Sequence, residues 1–270
     1  MVIASALAAC RDPPNFFQEY IMDSPILIID LGYGTVRAGM NTSNAPTVSI
    51  TADAHWYDSL STEENFKSIF SQIISKLTPT PSACRVMVTQ PVDATPVVRT
   101  QMTNVLMKDF KVEAMYISSH LFSALCSATE TGSGTAVFYE NGQMNVNTYK
   151  DGYPLRNRRC SGADLGFLGV NIVETILACD IPIQQEMFNS IYLFGAQFGA
   201  AQKVEVESSV NRNLPNQFAS CKVTLPVEQD GNAVWRGAKA FAAMDLSGLW
   251  FTQADYQAGG ASSINKKTNF

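Results

Sequence analysis

The sequence lacks any apolar run approaching the ~20 residues that a membrane-spanning helix needs, so no span is expected. It also lacks metal-ligand spacing. The six cysteines (Cys10, Cys84, Cys126, Cys160, Cys179 and Cys221) are scattered, with no CxxC pair among them. Free thiols in a reducing compartment are the simplest reading of that scatter. There is no low-complexity segment and no run of like charges. Positive charge is not in excess: the formal net charge is -5, which argues against a general nucleic-acid binder. The one basic cluster, Arg156, Arg158 and Arg159 in "LRNRRC", suits a solvated strand edge or a protein contact. The N-terminal "MVIASALAAC" resembles a short bacterial lipoprotein signal with "LAAC" as its cleavage box, but carries no Lys or Arg before the apolar stretch. The expectation for residues 1–23 is therefore an apolar extension that packs on the chain, with Pro13 and Pro14 ending any helix in it.

The 270 residues, 46% of them hydrophobic, suffice for one large domain or two modest ones with a buried core. From Ser24 the pattern is regular. "PILIID" is an unbroken apolar run, as in a strand buried on both faces, and "TVRAGM" and "TVSIT" alternate like two more strands. "STEENFKSIFSQIISKL" places Phe66, Ile69, Phe70, Ile73, Ile74 and Leu77 on one helical face, with Ser61 and Glu64 as a capping box. "RVMVTQ" reads as a strand, and residues 95–110 as one helix with Val98, Met102, Val105, Leu106 and Phe110 inward. "AMYIS" reads as a strand and "HLFSALCSA" as a helix. The cycle then restarts. "TAVFYENG", "QMNVNTYKDG" and "YPLRNRR" read as three strands, with turns at Asn141-Gly142 and Asp151-Gly152. "GADLGFLGVNIVETILAC" reads as a helix, "IYLFG" as a strand, "AAQKVEVESSVN" as a helix and "CKVTLP" as a strand. Residues 233–270, with Trp235 and Trp250, read as mostly helical. Three antiparallel strands followed by alternating helix and strand, twice over, predict a duplicated α/β fold.

Particular stretches resemble actin and the actin-related proteins. "ILIIDLGYGTVRAGMNTSNAP" is similar to actin's first phosphate loop and the strand after it, and "VMVTQPVDATPVVRTQMTNVLMKDFKVEAMYISS" to the next stretch of the same subdomain. "YKDGYPL" resembles the turn ending the second phosphate hairpin, and "VWRGAKAFAAMDLSGLWFTQADYQAGG" with the final "KKTNF" resembles the C-terminal helices. The resemblance covers most of the chain from Ile26 onward. It implies an actin-like, duplicated RNase H-like fold. The first half would take residues 24–128 and 233–270, and the second residues 129–232. Two insertions of actin have no counterpart. Residues 51–84 hold one helix where actin has a small outer subdomain, and "GADLGFLG" runs on where actin has its large helical insertion. The fold is thus expected to be reduced to the two inner subdomains.

The same resemblance assigns the candidate nucleotide residues. Asp30 takes the place of the carboxylate that organises the metal's water shell, and Gly32 and Gly34 keep the first loop approachable. Arg37 replaces a phosphate-reaching lysine, and Tyr33 intrudes where a small hydroxyl donor belongs. In the second loop, "FYENG" stands for an Asp-Ser-Gly-Asp-Gly turn: Phe138 replaces the aspartate, Glu140 replaces a glycine, and Gly142 survives. His120 takes the place of the water-orienting glutamine, and Asn145 that of a nearby histidine. Gly195 remains of a glycine pair whose partner is now Phe194. An anion site needs bare N–H groups and positive potential, so the second loop reads as disabled. Read without the resemblance, Asp30 and Arg37 suit a polar pair at a strand end, and His120 a satisfied histidine at a helix start. Phe138 and Phe194 then suit core filling.

The expectation is a non-enzymatic structural subunit without bound cofactor or metal. Its partners would be protein subunits of a larger assembly, cytoskeletal, dynein/dynactin or axonemal, with no direct nucleic acid and a place in the cytoplasm and cytoskeleton. The alternatives are a residual switch binding ATP or ADP with Mg²⁺, and a nuclear chromatin-remodeller subunit. In actins the groove between the inner subdomains, away from the nucleotide, is a common docking surface. Here the resemblance lines it with Cys126, Gly152, Tyr153, Phe241, Met244 and Leu249. Phe241, Met244 and Leu249 equally suit the buried face of a helix.

Overall fold

In β1 (Ile26–Leu31) every residue is buried, as its apolar run requires of a strand covered on both faces. The computed structural model to which it belongs describes residues 25–52, 63–77, 80–92, 94–140, 142–161, 165–226, 231–244 and 246–267. The expected N-terminal extension and Ser61 of the expected capping box lie outside these residues. The chain divides into two compact units. One takes the chain up to His120 and from Ala238 onward; the other runs from Leu121 to Gly237.

In the first unit β1 pairs antiparallel with β2 (Thr35–Met40), which pairs antiparallel with β3 (Val48–Thr51). On its other side β1 lies parallel to β4 (Arg85–Gln90), and β4 parallel to β5 (Ala114–Ser119). A two-residue strand, β11 (Phe251–Thr252), closes that edge antiparallel to β5, a strand that the helical reading of the tail missed. The sheet order is β11-β5-β4-β1-β2-β3. Leu27, Ile29, Leu31, Val86, Val88, Met115 and Ile117 join one core cluster with α1 (Glu63–Leu77). That helix buries Phe66, Phe70, Ile73 and Ile74, with Ile69 and Leu77 at the margin, as its spacing predicts. On Tyr116, which alternates to the opposite face from Met115 and Ile117, Phe241 packs at 5.6 Å and Trp250 at 6.4 Å between ring centroids.

The expected single helix over residues 95–110 is two pieces. Thr95 caps α2 (Pro96–Asn104) by accepting from the Val98 N–H, with proline in the first turn. From Val105 to Asp109 the chain widens into a π turn. Val105, Leu106 and Met107 are consecutive and all buried, which the wider turn accommodates. Gln253 secures its end by donating from Nε2 to the carbonyls of Met107 and Val112. Gln253 opens α8 (Gln253–Gly259) behind a reciprocal Thr252–Asp255 cap, and α9 (Ile264–Lys267) follows. Lys267 bridges to Asp255 at 2.8 Å and to the Trp250 carbonyl at 2.6 Å. The Lys267 hydrogen bond, with the Thr252 N–H, pulls the Asp255 carboxyl down to about 2.

In the second unit β6 (Gly134–Glu140), β7 (Gln143–Lys150) and β8 (Tyr153–Ser161) form an antiparallel meander. The β7–β8 turn has φ of 49° at Asp151 and 82° at Gly152, the two positive values that the expected tight hairpin turn needs. β9 (Ile191–Phe194) lies parallel to β6, and β10 (Val223–Thr224) parallel to β9, shorter than "CKVTLP" suggests. The order is β10-β9-β6-β7-β8. Apart from β11, both sheets therefore use one topology: a three-stranded antiparallel meander whose first strand is extended by two parallel strands.

In the second unit α4 (Leu165–Leu177) and α6 (Ala200–Asn213) help build the core with Ile172, Ile176, Val206 and Val210. They meet at Gly169, where a Cβ would overlap the Ser209 side chain. Between α4 and β9 the chain forms α5 (Ile181–Asn189), which the sequence reading did not separate; Asp180 at its N-cap and proline in its first turn are its start signals. The chain passes from one unit to the other within α3 (His120–Cys126) and returns within α7 (Ala233–Ala242). Gly237 of α7 has no room for a Cβ against the Ser123 carbonyl.

Candidate functional site

The carboxyl ends of the parallel strands in the first unit gather a polar cluster. Asp30 is the penultimate residue of β1, and its cross-strand neighbours are Arg37 on β2 and Thr89 on β4. Neighbours in register point to the same face, so the register alone delivers three polar side chains to one place. His120 arrives from the end of β5, as the first residue of α3. Thr89 Oγ1 donates to Asp30 Oδ1 at 2.9 Å, and His120 Nε2 lies 3.3 Å from the same oxygen. Arg37 Nη1 lies 3.5 Å from Asp30 Oδ2. Asp30, Thr89 and His120 are buried and Arg37 is half-buried. Both carboxylate oxygens thus face groups of the chain itself.

The loop beneath this cluster is held by one glycine. A Cβ on Gly32 would sit 2.7 Å from the Thr35 carbonyl oxygen, too close for any side chain. Gly34 has nothing within 4 Å of the same position. Tyr33 between them is half-buried.

The second unit repeats the hairpin with different chemistry. Asp30 pairs with Arg37 across β1–β2, and Phe138 pairs with Asn145 across β6–β7, with six residues between the partners in each hairpin. Phe138 also lies in register with Phe194 on β9, as Asp30 does with Thr89 on β4. Phe194 is buried and Phe138 half-buried. The turn that follows places Gly142 at φ 74°. Gly195, just past β9, is at φ 122°, and a Cβ there would meet the Tyr139 carbonyl oxygen at 2.9 Å.

Asp30, Arg37 and His120 are brought together in the first unit, with Gly32 and Gly34 in the adjoining loop; Gly142 and Gly195 belong to the second. Thr89 was missed, because "RVMVTQ" reads only as a strand. The available signal was a hydroxyl residue after the apolar run of a buried strand, near its carboxyl end. Of the residues expected along a docking groove, Cys126 and Gly152 are buried, and burial pushes the Cys126 thiol up to about 12. Phe241 is only 2% exposed and packs on Tyr116, so it belongs to the buried face of α7 and offers no free surface. Tyr153, Met244 and Leu249 are half-buried. Among the described residues no cluster of His, Cys, Asp and Glu could hold a metal ion, and no helix is long and apolar enough to cross a membrane.

No family model matches the sequence. Over 104 residues the chain is 28% identical to Actin-related protein 4 of Arabidopsis thaliana. The match takes in 36% of this chain and spans only 22% of that protein's length. Over that part of its length, the chain is similar to an actin-related protein.

Proposed function

We propose that the chain is a divergent actin-related protein that acts as a non-catalytic structural subunit of a larger protein assembly, cytoskeletal or motor-associated, in the cytoplasm. The similarity to an actin-related protein supports the family reading. The repeated strand order supports two RNase H-like halves. One observation carries the non-catalytic reading: where Asp30, Arg37 and Thr89 meet in the first sheet, the second sheet has Phe138, Asn145 and Phe194.

The residues present do not fit a nucleotide with Mg²⁺. A phosphate hairpin offers bare backbone donors and positive potential. The second hairpin instead carries a half-buried phenylalanine beside a fully buried one. In the first unit the Asp30 carboxylate already faces Thr89, His120 and Arg37, and its desolvation is offset without a metal. A residue that in this family serves a nucleotide here serves the strands around it.

The reading is tested by tagging the chain at its native expression level and measuring the mass of the purified species. A defined complex with other subunits at fixed stoichiometry is expected. A monomer that hydrolyses ATP, or a homopolymer formed on adding Mg²⁺ and salt, would overturn it.

A further inference from the structure

We infer that the outer edge of β8 is a docking site for an extended acidic segment of a partner protein, added as a further strand to the five-stranded sheet. β8 runs from Tyr153 to Ser161 and ends the sheet order, paired with β7 from Lys150↔Tyr153 to Gln143↔Ser161. Pro154 fits this place, since proline is confined to strands whose missing N–H is not needed by a neighbour. Pro154, Arg156, Asn157 and Arg159 are exposed. A long edge strand presents a row of backbone donors and acceptors that another chain can extend.

Charge selects the occupant. The chain as a whole is acidic at -5, yet this strand carries three arginines within four residues. Successive side chains point to opposite faces, so the guanidiniums flank the edge on both sides. Arg158 pairs with Glu174 and Asn171 of α4, while Arg156 Nε donates to the neutral carbonyl of Ala178 just past that helix and its Nη1 to that of Leu155 in β8, both at 2.7 Å. Arg159, on the other face, donates to Gln143 Oε1. A second copy of β8 laid antiparallel about Asn157 would set Arg156 against Arg158, and like charges directly opposite one another are destabilising. A strand with carboxylates at two adjacent positions would meet a guanidinium on each face. The alternative for such an edge is pure protection, arginines that keep every strand away.

This inference extends the assembly reading by naming one contact surface, and its test needs neither nucleotide nor the assembly, so each can fail alone. The probe is a fluorescein-labelled eight-residue peptide in which pairs of glutamates alternate with pairs of threonines, titrated with the full chain and read by anisotropy. Two controls are a lysine–threonine peptide and the acidic peptide with proline at two central positions. Binding of the acidic peptide about tenfold tighter than either control is expected, with an about tenfold loss in R156E/R159E. The milder pair R156Q/R159Q, with an unchanged melting midpoint, should show a smaller loss in the same direction. Equal binding of the proline peptide would reduce the effect to diffuse attraction and overturn the proposal. So would absence of acidic-peptide binding, full affinity in the folded glutamine pair, or concentration-dependent dimers abolished by R156E/R159E.

Discussion

The carboxyl ends of the parallel strands in the two sheets use one geometry for opposite chemistry. In each, a strand of the meander meets its hairpin partner and a parallel neighbour at one register point. In the first unit those three positions are Asp30, Arg37 and Thr89; in the second they are Phe138, Asn145 and Phe194. The first end satisfies its charge through hydrogen bonds and ion pairs, and the second fills its space with aromatic rings. Topology therefore places the site but does not dictate its chemistry.

The largest effect is expected from importing the first end into the second. Phe138→Asp with Phe194→Thr removes two rings and leaves a carboxylate facing Asn145 in place of a guanidinium. The loss should reach about 4 kcal/mol or more in denaturant unfolding. Adding Asn145→Arg should return about 1 kcal/mol. A double variant as stable as the natural chain would show that the rings are not packed as described.

Removing the carboxylate tests the first end. Asp30→Ala leaves the buried His120 and the half-buried Arg37 without their anion, at a cost of about 3 kcal/mol. Asp30→Asn keeps an acceptor for Thr89 and should cost about 1–2 kcal/mol. The order of the two denaturation midpoints is the check.

The hairpin glycines distinguish the two units at smaller scale. Gly32→Ala drives a Cβ against the Thr35 carbonyl and should cost about 1–3 kcal/mol. Gly142→Ala, at φ 74°, should cost about 1 kcal/mol, whereas Gly34→Ala enters open space and should lie within about 0.5 kcal/mol of zero. Thermal melts of the three variants read this ranking.

The smallest effect lies outside both ends. The Asp255 carboxyl is held near 2 by the Lys267 hydrogen bond and the Thr252 N–H. Its folded value lies below its unfolded one, so its contribution is present above about pH 4 and is lost as pH falls through about 2. The pair is partly exposed, so screening keeps the contribution below about 1 kcal/mol. Asp255→Asn should flatten that acid limb and leave the Asp30 and Phe194 effects unchanged.

Much of this arrangement was legible in the sequence. The apolar run of β1 announced a buried strand, the spacing of Phe66, Phe70, Ile73 and Ile74 announced the face of α1, and Asp151-Gly152 announced its turn. Asp30, Arg37 and His120 were identifiable as candidates, but their mutual contact depends on register, which no local pattern encodes. Thr89 was hidden for the same reason. The π turn at Val105 and the strand β11 escaped because tertiary packing, not local propensity, decides them. Phe241 carried two readings in the sequence, and only its contact with Tyr116 separates them.

The proposed function rests on a second hairpin that serves no phosphate. The most direct measurement is the nucleotide content of the chain purified from its native source without chelator or added nucleotide, denatured and resolved by ion-pair chromatography. No adenine nucleotide above the buffer blank is expected, and no change in melting temperature when ATP or ADP is added with Mg²⁺. One tightly held ATP or ADP released per chain would contradict it.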